Sequence, residues 1–381
     1  MEETGLEVLT PGMLQDFRDL YQYIEDDEVT DIDWDAGQLW IKRSRKKRCQ
    51  VRNERITESY MYNFALRTAL LNSRGFNPVE NVVCCDTENL RITCIDKSFA
   101  ASGLSIGIRK SLPRLRFTAR EAVREKYCDE RLLHLMVNCV LVHKNFVFCG
   151  NPGSGKTEAA KFFSHYIPDH EKVITIEDVK EWHYKKINPT KDGIELKIQK
   201  EEDFQKSLAV ALRMNPVWIM LAETRSREVR YLLECWSNGV SCMTTLHAND
   251  VRKIPDRILN MLDTRQDAKR IVNQIYSDLG IGILLEVVED RSAVMEAKME
   301  HASAVSGEET EESWTDYYDS RHRIAQVCFY YRTEDRNVCA VIVEDGKFRP
   351  ENIPKEIERE LKKTLGTEDL FHCPLLGGED G

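Results

Sequence analysis

The sequence predicts an α/β protein: a smaller mixed α/β domain, then a larger domain built on a mostly parallel sheet. Three observations predict it. From about residue 145 to 285, short apolar runs alternate with stretches of helical spacing, as in a parallel sheet covered by helices on both faces. A glycine-rich loop joins the first of those runs to a helix former in "FVFCGNPGSGKTEAA", residues 146 to 160. The first hundred residues instead alternate apolar and polar with period two, the pattern of strands with one face buried.

The elements follow in order. "VTDIDWDAGQLWIKRSRKKRCQVR" alternates like strands, with "DAG" as a hairpin turn, and its alternation places Trp40 toward the core. "ESYMYNFALRTALLNS" has helical apolar spacing, and "RGFNP" ends it. "ENLRITCID" and "GLSIGIRK" read as two more strands, and "SLPR" is the first clear break. Residues 1–115 are therefore expected to form the N-terminal domain. Residues 116–140, which include "TAREAVREKYCDERLLHLMVNCV", are expected to be a helical linker. Residues 141–365 are expected to form the second domain, with strands at "NFVFCG", "KVITIE", "VWIMLAE" and "SCMTTLH". The acidic stretch "GEETEESWTDYYD" reads as a surface loop between strands. "IPKEIERELKKTL" reads as a last helix with Ile357, Leu361 and Leu365 on one stripe, and residues 366–381 as a flexible tail.

Composition narrows the classes. At 381 residues, 42% hydrophobic and 31% charged, the chain is an ordinary globular one that suits two cores. Its apolar runs are too short to span a bilayer, and the acidic N-terminus lacks the apolar stretch of a signal peptide. The 12 cysteines include no C-x-x-C pair, so buried reduced thiols are expected rather than a zinc site. A net charge of −10 argues against a surface that clings to nucleic acid throughout.

The glycine-rich loop carries chemistry. Gly150, Gly155, Lys156 and Thr157 fit G-x-x-x-x-G-K-[ST]. Glycines let successive backbone N–H groups turn toward a phosphate, and the following helix adds its positive end. The expected nucleotide-binding set is Gly150, Asn151, Pro152, Gly153, Ser154, Gly155, Lys156, Thr157 and Glu158. Lys156 is expected on the β- and γ-phosphates and Thr157 on Mg²⁺. Three later runs each end in polar residues: Glu177 and Asp178, then Glu223 and Arg225, then Thr245 and His247. Carboxyl ends of parallel strands are where such sheets hold ligands. Singly, each cluster has a plain explanation: a helix cap, an exposed ion pair, an ordinary histidine.

Together these segments resemble the type II/type IV secretion ATPases, the motors of conjugation, secretion and pilus assembly. "GNPGSGKT" is similar to their Walker A, "TIEDVKE" to their Asp box, "LRMNPVWIMLAETRSREV" to their Walker B region and "TTLHAND" to their His box. "VTDIDWD", "LRITCID" and "SGLSIGIRK" are weaker matches in the first domain. The chain departs from the family pattern at Pro216-Val217, Ala222-Glu223 and Gly239-Val240. It also lacks the four-cysteine zinc element of the type II secretion and pilus-extension branches, which tilts the resemblance toward the conjugation or CpaF-like tight-adherence branch. The resemblance implies a RecA-like P-loop NTPase domain that hydrolyses ATP with Mg²⁺ as a homohexameric ring. It implies a cytoplasmic protein peripheral to the inner membrane, working with inner-membrane secretion or pilus-assembly proteins. Glu223 and Glu177 would orient water or complete the metal site with Thr157. His247 would sense the γ-phosphate, and Arg109 and Arg225 would supply positive charge.

The run "KRSRKKR", Lys42 to Arg48, reads either as a solvated hairpin rim or as a contact for an anionic membrane surface, where each cation adds about 1 kcal/mol. It has no interleaved aromatics, so direct nucleic-acid binding is not expected. Two other functions share the phosphate loop: a nucleic-acid motor, such as a helicase or packaging ATPase, and a nucleotide-binding regulatory module with weak turnover.

Overall fold

The computed structural model describes residues 17–198, 203–224, 228–262, 267–289 and 320–376. The chain divides into two compact units, with the break at Leu112 and Pro113 inside "SLPR".

The first unit is built on one sheet of six strands. They are β1 (Val29–Asp35), β2 (Gln38–Arg43), β3 (Cys49–Val51), β4 (Val82–Asp86), β5 (Leu90–Ile95) and β6 (Ser105–Lys110), in the order β3-β2-β1-β6-β5-β4. Every neighbouring pair is antiparallel. The β1–β2 turn runs through Ala36 and Gly37, both at positive φ (49° and 90°), the backbone a tight hairpin requires. After the short helix α1 (Tyr21–Glu25), helix α2 (Glu58–Leu71) covers one face. Thr57 caps α2 by accepting from the Tyr60 N–H. Its buried stripe, Met61, Phe64, Ala65, Thr68 and Ala69, follows the i, i+3, i+4, i+7, i+8 rule.

Trp40 departs from expectation. In β2 the buried residues are Leu39 and Ile41, so Trp40 points to the opposite side and is half-buried. The Arg48 guanidinium lies over its ring, 5.4 Å from the centroid. The basic run is partly neutralised locally. Arg43 pairs with Asp26 at 3.2 Å, and Arg48 reaches Asp33 at 3.1 Å and Asp35 at 2.7 Å.

The second unit carries a nine-stranded sheet. Its strands are β7 (Phe146–Gly150), β8 (Val173–Glu177), β9 (Gly193–Lys197), β10 (Trp218–Leu221), β11 (Ser241–Leu246), β12 (Ile281–Glu289), β13 (Ser320–Arg332), β14 (Asn337–Glu344) and β15 (Lys347–Phe348). The order is β15-β14-β13-β12-β7-β11-β10-β8-β9. The run from β12 to β9 is parallel, and the β13-β14-β15 edge is antiparallel. The helices are α3 (Ala119–Arg124), α4 (Glu130–Leu141), α5 (Lys156–Ser164), α6 (Tyr184–Ile187), α7 (Asp203–Arg213), α8 (Glu228–Ser237), α9 (Ile254–Asn260), α10 (Ala268–Asp278) and α11 (Lys355–Leu365). One face of the sheet packs Phe146 and Phe148 with residues of α4, α5 and α11. The other packs Val147 and Cys149 with residues of α7 to α10. Both faces are thus buried, which is why β7, β8, β10 and β11 are apolar along nearly their whole length.

Residues 116–140, expected as a linker, belong to this second core. Asp129 caps α4 through the N–H groups of Arg131 and Leu132, and Leu132, Leu135, Met136 and Val140 are fully buried. The expected tail also packs as far as Leu376. Asn138 donates to the carbonyls of Leu370 and His372, His134 Nδ1 accepts the Cys373 N–H, and Leu370 and Cys373 are buried. Residues 377–381 lie outside the described residues, as does the acidic stretch 307–319. Ile357 and Leu361 are buried on α11. The cysteines are free thiols and mostly buried, and burial pushes Cys94, Cys128, Cys139 and Cys149 up to about 12. Among the described residues no helix is long and apolar enough to cross a membrane.

Candidate active site

The parallel register lines up four strand ends. Leu221 of β10 is level with Ile176 of β8 and with Thr244 of β11. Leu246 of β11 is level with Cys149, and Leu285 of β12 with Gly150. The loops that follow β7, β8, β10 and β11 therefore leave the same edge, and these are the loops that hold the predicted residues.

After β7 the chain turns through Gly150, Gly153 and Gly155 at φ of 147°, 75° and 87°. Side-chain-bearing residues avoid these values. A Cβ at Gly150 would also lie 2.4 Å from both the Leu285 carbonyl oxygen and Ser154 Oγ. Gly155 precedes α5, so the first N–H groups of that helix open toward the loop. Lys156 is buried at its start. Its ammonium donates to the carbonyls of Gly150 at 3.1 Å and Asn151 at 3.0 Å, which folds it back over the loop. Ser154 Oγ is buried with no protein partner. Glu158 faces away from that constellation. Lys161 holds it at 3.0 Å, and Arg116 approaches it to 3.9 Å.

Glu177 ends β8 and is buried. Its Oε1 accepts the N–H groups of Glu181 at 3.1 Å and Trp182 at 2.9 Å. Burial outweighs those two hydrogen bonds and raises its pKa to about 8. Glu177 thus orders the 178–183 segment, the capping role that sequence alone left open. The segment it orders presents Glu181, whose Oε2 accepts the Thr157 hydroxyl at 3.2 Å. In "TIEDVKE" the residues expected at the site are the first two carboxylates, Glu177 and Asp178. The last carboxylate is the one brought to the phosphate loop. The signal was a further carboxylate four residues after Glu177, and only the turn between them shows which faces Thr157.

Glu223 and His247 come together from neighbouring strands, with Oε1 and Nε2 at 3.0 Å. The strand ends behind them are bolted by hydroxyls. Thr224 and Thr244 share a 2.6 Å hydrogen bond, and Thr245 Oγ1 donates to the Ala222 carbonyl at 2.8 Å. Arg225 lies outside the described residues. Arg109 is an exposed residue of β6, cross-strand from Asp31 and Arg91 in the first unit. Among the described residues, no cluster of three or more His, Cys, Asp or Glu could hold a metal by itself. A Mg²⁺ that keeps several waters and takes only one or two protein ligands beside phosphate fits the Thr157–Glu181 pair.

A profile of the family described as type II/IV secretion system protein matches residues 102–363. An uncharacterized protein of Bacillus anthracis is 26% identical over 267 residues, 69% of this chain and 60% of its own. Protein VirB11 of Agrobacterium fabrum is 32% identical over 227 residues, 50% of this chain and 64% of its own. The chain thus spans less than two thirds of these relatives' lengths. In three dimensions, the Yersinia pseudotuberculosis ATPase DotB matches with a TM-score of 0.58 at 13% identity, over 91% of this chain and 86% of that one. That likeness is one of fold.

Proposed function

This chain belongs to the type II/IV secretion system protein family, and from that premise we propose that it hydrolyses ATP to power secretion, conjugative transfer or pilus assembly. The observation that carries the proposal is the meeting of carboxylates, a histidine and a lysine-bearing glycine loop on one edge of the parallel sheet. Three positive-φ glycines and a helix N-terminus directly behind them suit a triphosphate. Lys156 exchanges its loop carbonyls for phosphate oxygens. Thr157 and Glu181 would hold Mg²⁺, which when bound would offset charge on the phosphates. Glu223 orients the attacking water and takes up its proton. His247 holds Glu223 in position and meets the γ-phosphate side. Arg109 and Arg225 remain the expected sources of further positive charge.

The working form is proposed to be a homohexameric ring on the cytoplasmic side of the inner membrane, coupled to membrane-bound secretion or pilus-assembly partners. The basic run Lys42 to Arg48, in which Arg45, Lys47 and Arg48 are exposed, is proposed to touch anionic lipid. The test is Mg²⁺-ATPase activity against protein concentration, with particle mass by light scattering, alone and with anionic vesicles or single-stranded DNA. Specific activity that rises with a hexamer mass and is stimulated by vesicles supports the proposal. A monomer with a constant rate, or stimulation by DNA alone, refutes the ring motor.

A further inference from the structure

We propose that His322 is a positioning residue for the phosphate loop. It stands near the start of β13, 169 residues from the loop glycine that it touches. Its Nε2 is 3.1 Å from the Gly153 carbonyl oxygen. A carbonyl only accepts, so Nε2 carries the proton and donates it. The ring also lies against Gly155. A Cβ there would be 3.3 Å from His322 Cδ2, at a φ of 87° that already demands glycine.

The histidine is delivered by a pinned strand. Arg323 Nε donates to Glu286 of β12 at 2.5 Å, and its Nη1 donates to the Asp345 carbonyl at 3.2 Å. The Ile324 N–H donates to the Tyr127 carbonyl at 2.8 Å. Side chains fixed in this way hold geometry within the tolerance a binding site needs.

The contact acts on one peptide. His322 holds the carbonyl of the Gly153–Ser154 peptide, and the N–H of that peptide donates to the Asn151 carbonyl at 3.1 Å. The same Asn151 oxygen accepts from Lys156 Nζ at 3.0 Å. Because the peptide is planar, its two ends turn together. Releasing the carbonyl would let the peptide rotate and disturb the acceptor that Lys156 shares. His322 therefore pre-forms the loop that presents its N–H groups to phosphate, which lowers the ordering cost of binding.

The inference rests on the nucleotide-site reading above, and the test separates the two. Full-length wild type, His322→Ala and His322→Gln are compared, since the glutamine amide can donate at similar reach. Three quantities are measured: affinity for a fluorescent Mg²⁺-ADP analogue, amide hydrogen exchange across residues 150–157, and the unfolding midpoint without nucleotide. The alanine variant is expected to bind roughly tenfold more weakly, the scale of one lost ordering hydrogen bond. Its loop amides should exchange faster while its midpoint stays within about 2 °C. The glutamine variant should recover most of both losses. Unchanged affinity and exchange in the alanine variant would overturn the proposal. So would equal losses in both variants with a lowered midpoint, which mark a purely structural role. If wild type binds no nucleotide, the site reading fails, and the exchange comparison alone decides the loop contact.

Discussion

The two sheets bury their residues by opposite rules. In the first, strands alternate: β4 runs exposed, buried, exposed, buried, exposed, and β6 likewise buries every second residue. In the second, β7, β8, β10 and β11 are buried end to end. A polar side chain on the solvated face of the antiparallel sheet is ordinary, so Arg109 there carries little information by itself. A polar side chain at the end of a fully buried parallel strand is unusual and must be held there. Glu177 is such a residue, held by the N–H groups of Glu181 and Trp182, while Glu223 and His247 lie just beyond their strands, partly open to solvent, and pair with each other.

Substitution at the phosphate-loop edge of the second sheet should have the largest effect. Replacing Lys156 with Ala should lower ATP turnover at least about 100-fold, the scale on which lost transition-state contacts are felt. Rates measured beside the unfolding midpoint will show whether the fold survives. In the first sheet the large effects should be on stability instead. Ile92 is fully buried, so Ile92→Ala should cost about 2–5 kcal/mol in denaturant unfolding and leave the nucleotide affinity of the folded protein unchanged.

A pH titration sharpens the contrast. Folding raises the Glu177 pKa from 4.5 to about 8, so the folded state holds a proton over that window that the unfolded state has lost. The contribution of neutral Glu177 is complete below about pH 4.5 and is lost as pH rises through 8. The slope is at most about 1.4 kcal/mol per pH unit. Denaturant unfolding of wild type and Glu177→Gln across pH 5 to 8 should converge at the acid end, with only wild type losing stability upward. Parallel curves would mean the carboxyl is already ionised. The smallest effect belongs to the exposed strand residue: Arg109→Ala should change stability by no more than about 0.5 kcal/mol, and a larger loss would show that it packs.

Legibility in the sequence follows the same division. The phosphate loop, the four apolar strands of the parallel sheet and the His247 strand end were readable because uninterrupted burial writes uninterrupted apolar runs. Strands β9 and β12 to β15 were not singled out. Of these, β9, β14 and β15 lie toward the outer edges of the sheet, where burial is partial and the pattern mixed, whereas β12 and β13 lie further in and are mostly buried. Trp40 was misplaced because one face of an antiparallel strand can bury half of an aromatic under an arginine. Residues 116–140 read as a connection because their apolar face gives no hint of which domain it covers. Glu181 was missed because spacing alone cannot say which of two carboxylates a turn keeps for its own backbone.

The most direct measurement is steady-state Mg²⁺-ATP hydrolysis by wild type, Glu181→Gln and Glu223→Gln, with nucleotide affinity measured on the same preparations. Wild type should turn over ATP, and each variant should bind nucleotide within a few-fold of wild type while losing about 100-fold or more in rate. Rates within about twofold of wild type in both variants would contradict the account, because the carboxylates gathered at that edge would then serve the fold and not the reaction.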